Sequence, residues 1–301
     1  MDLVLGSSTL GAIGIIEYGE DDEDKVEHLV AEHYPRSSAA EAFRTLRTNI
    51  RFARPDREMG SLLITSSRPG EGKSLVAANL AVVIAQEGKR VILMDGDLRR
   101  PSVHRFFGVP NRAGLTNFIL NNEPSIEGYL QETETPNLRI LTSGPLPPNP
   151  LDMVGSHRTD RAIRELKGLC DVLVVDSPPV ITVTDALILA TKVEAGLLVA
   201  QASSTRRDLI IRAAETLQKS GVDFLGPVLN RVRLSDLGYY YSYYYYGYYY
   251  DEAEMAGETM PLVTRMKRSG TPLLDKARER VAPLVERAKN GRREQDSGRR
   301  S

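Results

Sequence analysis

The chain has 301 residues, 41% of them hydrophobic, with 39 Lys and Arg against 40 Asp and Glu for a formal net charge of −1. That length suits one α/β domain with a sizeable core plus tails, and the near-neutral charge argues against generic binding to nucleic acid. The lone Cys170 excludes an internal disulfide and, just ahead of an apolar run, reads as a core thiol in a reducing cytoplasm.

The first apolar stretch, Leu3 to Ile16, is too short to span a bilayer and has no Lys or Arg ahead of it, so it reads as a structural or docking segment. An acidic run from Glu17 to Glu27 follows. Pro35-Arg-Ser-Ser38 supplies a helix start, and Ala39 to Phe52 has the period of an amphipathic helix. Glu41, Arg44 and Arg47 fall three apart and share one face of it, which by spacing alone predicts a local ion pair on a solvated surface.

Ser61 to Thr65 reads as a short buried strand, and Leu75 to Gln86 as a helix of small and apolar residues. Between them lies Ser67 to Ser74, SRPGEGKS. In a strand–loop–helix context Gly70 and Gly72 let the backbone wrap a phosphate, Lys73 reaches the β- and γ-phosphates, and the Ser74 hydroxyl can ligate Mg²⁺. Amides at the helix N-terminus add partial positive charge at the same place. The loop departs from G-x-x-x-x-G-K-[ST] at its first position, where Ser67 is tolerable if no positive φ is needed there.

The next strand, Arg90 to Met94, delivers Asp95-Gly-Asp97 to its C-terminal end, the edge where ligands bind in open parallel sheets. Two carboxylates one residue apart beside a nucleotide loop suit Mg²⁺ handling and proton acceptance. Arg99 and Arg100 can steady phosphate oxygens or stand exposed. His104 to Leu120 reads as two short helices around a turn, with His104 at the surface, and Leu138 to Leu141 as a strand. A Pro-rich loop, Ser143 to Pro150, and a helix from about Arg158 to Gly168 come next. Asp171 to Val175 is a continuous apolar strand ending at Asp176, a second candidate Mg²⁺-side carboxylate. Asp185 opens the following helix, where an acid stabilises the N-terminus with no catalytic role.

Ala195 to Ala200 (strand), Arg206 to Lys219 (helix) and Val222 to Leu229 (strand, ending at Asn230) close the pattern near Val232. Strand alternating with helix at this rhythm predicts an α/β fold with a doubly wound, mostly parallel sheet and helices on both faces. Beyond it, Tyr239 to Tyr250 holds ten of the thirteen tyrosines. Such a run lacks the aliphatic partners of a core segment, leaving a sticky stacking segment, a nucleic-acid platform short of interleaved basic residues, or a set of phosphate acceptors. The remainder to Ser301 has helical spacing from Leu273 to Ala288, interrupted by Pro283, and reads as a flexible, basic, solvated tail.

From about Ser37 to Tyr250 the chain resembles the bacterial tyrosine kinases of capsule and exopolysaccharide synthesis, the CpsD/CapB type, within the MinD/ParA-like P-loop superfamily. The resemblance rests on EAFRTLR at Glu41 to Arg47, SRPGEGKS at Ser67 to Ser74, ILMDGDLRRP at Ile92 to Pro101, VLVVDSPP at Val172 to Pro179 and the tyrosine cluster. It implies a P-loop kinase domain over residues 37–235, preceded by an N-terminal segment (1–36) that resembles the remnant of an activator domain. A tyrosine cluster (236–251) and a basic extension (252–301) follow.

It also implies a nucleotide site at Pro69, Gly70, Glu71, Gly72, Lys73, Ser74 and Leu75, with Asn230 near the adenine. Lys73, Asp95, Asp97 and Asp176 are the implied catalytic set, and Ser74, Asp97 and Asp176 the implied metal set, for ATP and Mg²⁺. Ring-like self-association is implied through Glu41, Arg44 and Arg47. The resemblance further implies autophosphorylation in trans at Tyr239, Tyr240, Tyr241, Tyr243, Tyr244, Tyr245, Tyr246, Tyr248, Tyr249 and Tyr250. The expected partners are a separate transmembrane chain-length regulator that recruits a cytoplasmic protein to the inner face of the plasma membrane, and a cognate tyrosine phosphatase; no nucleic acid is expected. A MinD/ParA-type positioning ATPase is the rival within the superfamily, but Arg68 stands where that group carries its signature lysine. A non-catalytic scaffold is the rival outside it, and the intact Lys73, Asp95, Asp97 and Asp176 argue against it.

Overall fold

Strand alternates with helix along the chain as the sequence predicts, in a computed structural model that describes residues 9–16, 28–55, 58–121 and 123–233. The acidic run 17–27, the tyrosines 239–250 and the extension 252–301 lie outside the described residues. The strands are β1 (Gly11–Gly14), β2 (Ser61–Ser66), β3 (Val91–Asp95), β4 (Gln131–Glu132), β5 (Leu138–Leu141), β6 (Val172–Asp176), β7 (Ala195–Gln201) and β8 (Asp223–Val232). The helices are α1 (Val30–His33), α2 (Ser38–Ala53), α3 (Lys73–Ala85), α4 (Val103–Phe106), α5 (Leu115–Asn121), α6 (Pro150–Val154), α7 (His157–Leu169), α8 (Asp185–Ala190) and α9 (Arg207–Lys219). Among the described residues no helix is long and apolar enough to cross a membrane.

The eight strands form one sheet in the order β1-β8-β7-β2-β6-β3-β5-β4, parallel throughout except for the short edge strand β4. Central strands are apolar without interruption because both faces are covered. Alternate side chains then supply two separate cores. Leu62, Ile64, Leu93, Val174, Leu197 and Val199 pack toward α2 and α3, whereas Leu63, Ile92, Met94, Leu173, Val175 and Leu198 pack toward α7, α8 and α9. This two-sided burial is the doubly wound architecture expected from the alternation of elements.

Two features differ from the sequence reading. The apolar segment 3–16, expected to be a structural or docking element ahead of a domain starting at residue 37, contributes β1 to the same sheet. Gly11 and Ala12 pair in parallel with Val228 and Leu229, and Ile13 is fully buried. The tetrapeptide GAIG has neither β-branched enrichment nor alternation, so local pattern could not reveal a strand that forms only because β8 offers it an edge. The last strand also runs three residues longer than predicted, through Asn230 to Val232.

Helix α2 starts at a Ser37 cap, whose side chain accepts the Ala40 amide at 3.2 Å, and buries Ala42, Phe43, Leu46 and Ile50. Helix α3 is buried nearly all round, between α2 and the sheet. Its one polar interior residue, Asn79, is a tie the apolar periodicity did not signal. The side chain accepts the Ala31 amide at 3.0 Å and donates to the His28 carbonyl at 2.9 Å and the Leu75 carbonyl at 3.1 Å, fixing α1 against α3. Asn79→Ala leaves a buried amide and carbonyl without partners, so it is expected to destabilise the fold by about 1–3 kcal/mol. Urea unfolding reads this as a lower midpoint at unchanged m-value. A midpoint that does not move would show the tie to be neutral.

Candidate functional site

At the C-terminal edge of the sheet, the loop after β2 turns through Gly70 (φ 84°) and Gly72 (φ 90°) into the first turn of α3. Ser67 does not have positive φ, so the absence of a glycine at the loop's first position carries no strain. Its hydroxyl instead donates to the Glu71 carboxylate at 2.9 and 3.0 Å. Glu71 is buried; its carboxylate also accepts the Arg68 amide at 2.9 Å and the Thr205 hydroxyl. The side chain of this loop residue therefore braces the loop from inside, while Pro69 and Gly70 form the exposed crest. Thr205, on the loop after β7, had no motif to mark it.

Lys73 is the centre of the site. Its ammonium lies 2.9 Å from Asp97 Oδ2, 3.5 Å from Asp176 Oδ1 and 3.2 Å from Ser74 Oγ, and Ser74 Oγ donates to Asp176 Oδ2 at 2.5 Å. Burial works to lower the Lys73 pKa, but the charges of Asp176 and Asp97 outweigh it and hold the ammonium above its usual value. Burial pushes Asp176 up, opposed by Lys73 and by the Ser74 hydrogen bond. Lys73, Ser74, Asp97 and Asp176, read from three separate stretches of sequence, thus form one contiguous group.

Asp95 has a different place. It sits opposite Asp176 in the β3–β6 register, its Oδ1 accepts the Asp97 amide at 3.2 Å, and its Oδ2 accepts the amides of Ser102 and Val103 at 2.9 and 3.0 Å. Burial pushes its carboxyl up to about 7, and the Asp176 charge adds to this, against the Val103 amide and Lys73. Asp95 therefore ties the segment after β3 to the start of α4, and Asp97 is the member of the pair that meets Lys73. The glycine between them is required by close approach: a Cβ on Gly96 would lie 2.8 Å from the Asp176 carbonyl oxygen, which accepts the Gly96 amide.

Asn230 reaches the site from β8. Its side-chain amide donates to the Glu71 carbonyl at 2.9 Å, its Oδ1 is buried without a hydrogen-bond partner, and a Cβ on Gly72 would lie 2.0 Å from its Nδ2. The residue is wedged beneath the phosphate loop. Leu75, in the first turn of α3, packs partly into the core. Asp185 stands in the first turn of α8, as the sequence predicts, and has a partner besides the helix terminus. Thr184 occupies the N-cap, and the buried Asp185 carboxylate takes the Arg99 guanidinium in a fork at 3.0 and 3.1 Å.

The expected association face also has internal partners. Glu41 and Arg44 make the local pair predicted by spacing, at 2.6 Å, and Arg44 donates to the Pro35 carbonyl. Arg47 donates to the Val83 carbonyl at 2.9 Å and lies 3.6 Å from Glu87, at the C-terminal end of α3.

The group offers a hydroxyl and carboxylates, the hard oxygen donors that suit Mg²⁺, and Asp176 Oδ1 is buried with no hydrogen bond. Among the described residues no group of three or more His, Cys, Asp or Glu could hold a metal ion by itself. Mg²⁺ needs only one or two protein carboxylates where substrate phosphates complete its shell, so these residues fit it.

The sequence matches the ParA family, described as NUBPL iron-transfer P-loop NTPase, over residues 59–236. It is 41% identical over 216 residues to the tyrosine-protein kinase YwqD of Bacillus subtilis, spanning 71% of this chain and 91% of that protein. Identity to the tyrosine-protein kinase CpsD of Streptococcus agalactiae is 35% over 200 residues, 66% of this chain and 86% of that one. The crystal structure of the chimerical protein CapA2B2 superposes with a TM-score of 0.70 at 35% identity, covering 77% of this chain and 97% of that one.

Because the Asn230 amide holds the loop backbone, Asn230→Ala is expected to weaken ATP and GTP by the same factor, about tenfold for one lost buried hydrogen bond and one orphaned carbonyl. Isothermal titration with both nucleotides checks it. Loss confined to ATP would mean that the amide reads the base.

Proposed function

The chain belongs to the bacterial protein-tyrosine kinases built on the ParA-type P-loop NTPase fold, and on that premise we propose that its substrate is the tyrosine cluster of a neighbouring copy. The activity is transfer of the γ-phosphoryl group of ATP to a tyrosyl hydroxyl. The observation that carries the finer reading is the convergence of Lys73 and Ser74 on Asp97 and Asp176, in a chain whose sequence also holds ten tyrosines within twelve residues.

Phosphoryl transfer asks for positioning and neutralisation of charge more than for covalent help. The amides of Gly70 to Ser74 and the Lys73 ammonium hold the β- and γ-phosphates. Ser74, Asp176 and Asp97 would hold Mg²⁺, which neutralises charge on the phosphate oxygens when bound. The incoming tyrosine has a free pKa of about 10 and must shed its proton as its oxygen bonds to the γ-phosphorus and the bond to the β–γ bridging oxygen breaks. Asp97 is assigned the proton, since both Asp95 oxygens accept backbone amides, whereas Asp97 gives only Oδ1 to a backbone amide and turns Oδ2 to the Lys73 ammonium that would hold the phosphates. The products are ADP and a phosphotyrosyl side chain.

In this reading copies assemble in a ring through the α2 face of Glu41, Arg44 and Arg47, which brings one copy's tail to the next copy's site. A separate membrane-spanning activator recruits the kinase to the membrane, a cognate phosphatase resets it, and the cycle regulates synthesis and export of a capsular or extracellular polysaccharide. The names of the relatives and the likeness to a chimera support this reading. Each phosphotyrosine adds about −1.5 to −2 charges. Five would add roughly −8 to −10 to a chain of formal net charge −1, so phosphorylated tails repel one another and the ring disassembles.

Incubation of the chain with ATP and Mg²⁺, with and without the cytoplasmic tail of a candidate membrane partner, is expected to place phosphate on Tyr239 to Tyr250 by mass spectrometry. The Lys73→Met chain is expected to carry none. ATP hydrolysis with unmodified tyrosines under both conditions would replace the kinase reading with an ATPase switch. Light scattering is expected to report a smaller assembly after full phosphorylation, and an unchanged mass would sink the disassembly step.

A further inference from the structure

The segment after Asp97 carries a charge pattern that the phosphoryl-transfer site does not use. From Leu98 to Asn122 there is no Asp or Glu, but there are four arginines and one histidine. Arg99 is committed to Asp185, whereas Arg100, Arg105 and Arg112 are exposed and have no ion-pair partner among the described residues. The segment is not a loose loop. Asp97 Oδ1 accepts the Arg100 amide at 3.0 Å, Asp95 accepts the amides of Ser102 and Val103, and Val103 and Phe106 are buried. At its far end Asn111 donates to Ser143 Oγ and the Gly144 carbonyl, both at 3.0 Å, and Leu115 donates to the Thr142 carbonyl at 2.9 Å.

These anchors stretch the segment from the C-terminal end of β3 to that of β5. The sheet order β2-β6-β3-β5 puts the phosphate loop on one side of the Lys73 group and the arginines on the other. The adjoining Ser143–Pro150 loop has no charged residue and exposes Leu146. An acceptor reaching Asp97 from this side therefore meets fixed positive charge and an apolar side chain, with no acid in either stretch to oppose it.

Two segments of this chain have the complementary charge, the acidic run from Glu17 to Glu27 and the stretch after the tyrosines, and only the second is contiguous in sequence with the acceptor side chains. Tyr239 to Glu258 contains Asp251, Glu252, Glu254 and Glu258, all C-terminal to the tyrosines, and no Lys or Arg. We infer that Arg100, Arg105 and Arg112 form a docking strip for the acidic end of a second copy's tyrosine tail, holding Asp251 to Glu258 while the tyrosines ahead of it enter the site. The inference rests on the reading that tails are phosphorylated in trans, and adds to it the feature that selects this acceptor over a tyrosine in a neutral or basic context.

The test is charge reversal between two full-length chains. An isotope-labelled Lys73→Met chain serves as acceptor, and the donor is either unmodified or carries Arg105→Glu with Arg112→Glu; labelled tail phosphate is followed by mass spectrometry. The doubly substituted donor is expected to phosphorylate the acidic tail about tenfold more slowly, the size expected of a few exposed ion pairs acting together, while its ATP hydrolysis stays within about twofold. An acceptor with Asp251→Lys, Glu252→Lys, Glu254→Lys and Glu258→Lys is expected to recover the rate with that donor and to be poor with the unmodified one. Equal rates with both donors, or a slowed rate that the lysine tail does not recover, overturns the docking strip alone. No labelled phosphate from the unmodified donor overturns transfer in trans, and the strip with it.

Discussion

Burying three carboxylates in a site that holds one ammonium is the constraint on which the rest of the structure turns. Asp95, Asp97 and Asp176 are all nearly inaccessible to solvent, and an unpaired buried carboxylate is far costlier than any single packing defect. The fold meets this by giving each acid a different kind of partner. Asp95 receives backbone amides from three residues, Asp176 receives the Ser74 hydroxyl and the Lys73 ammonium, and Asp97 receives the same ammonium from the other side. All of this requires β3 and β6 to be in parallel register with Asp95 beside Asp176, and the backbone to pass close enough that only glycine fits at position 96. A slip of one residue would turn these acids to the opposite face of the sheet.

The same geometry explains which parts of the fold could be read from sequence. Continuous apolar strands ending in a glycine loop or an aspartate announced themselves, because the buried parallel strand and the site at its C-terminal end are written in adjacent residues. Lys73, Ser74, Asp97 and Asp176 were legible for that reason. Asn79, Thr205 and the Arg99–Asp185 fork were not, because each owes its role to a partner at least 48 residues away. Asn230 was read from the resemblance as a residue near the adenine, and its place against the loop was not legible, since its direction depends on how β8 lies against Gly72. Strand β1 was invisible because its stability comes from the edge it joins, not from its own four residues.

Helix α3 links the two ends of the domain. Its N-terminus supplies Lys73 and Ser74, and its C-terminal carbonyl at Val83 is taken by Arg47 of α2, with Glu87 close by. A cation at the C-terminus of a helix complements its macrodipole. Thirteen residues at 1.5 Å each make α3 about 20 Å long, and its burial on nearly every side leaves it little freedom to bend. The α2 face with Glu41, Arg44 and Arg47 and the phosphate loop therefore sit at opposite ends of one stiff element.

Direction of approach follows from the order of strands. With β2, β6, β3 and β5 adjacent, the phosphate loop and the Asp97 carboxylate face each other across the end of β6. In the proposed reaction, phosphates cradled by the loop at the head of α3 would leave the side toward β3 and β5 for the acceptor, since an in-line displacement needs donor and acceptor on opposite sides of the transferred phosphorus. Asp97 sits on that second side, and the segment anchored by Asp95 begins there. The D-G-D sequence thus does two separable things: its second acid meets the Lys73 ammonium, and its first ties down the segment that follows β3.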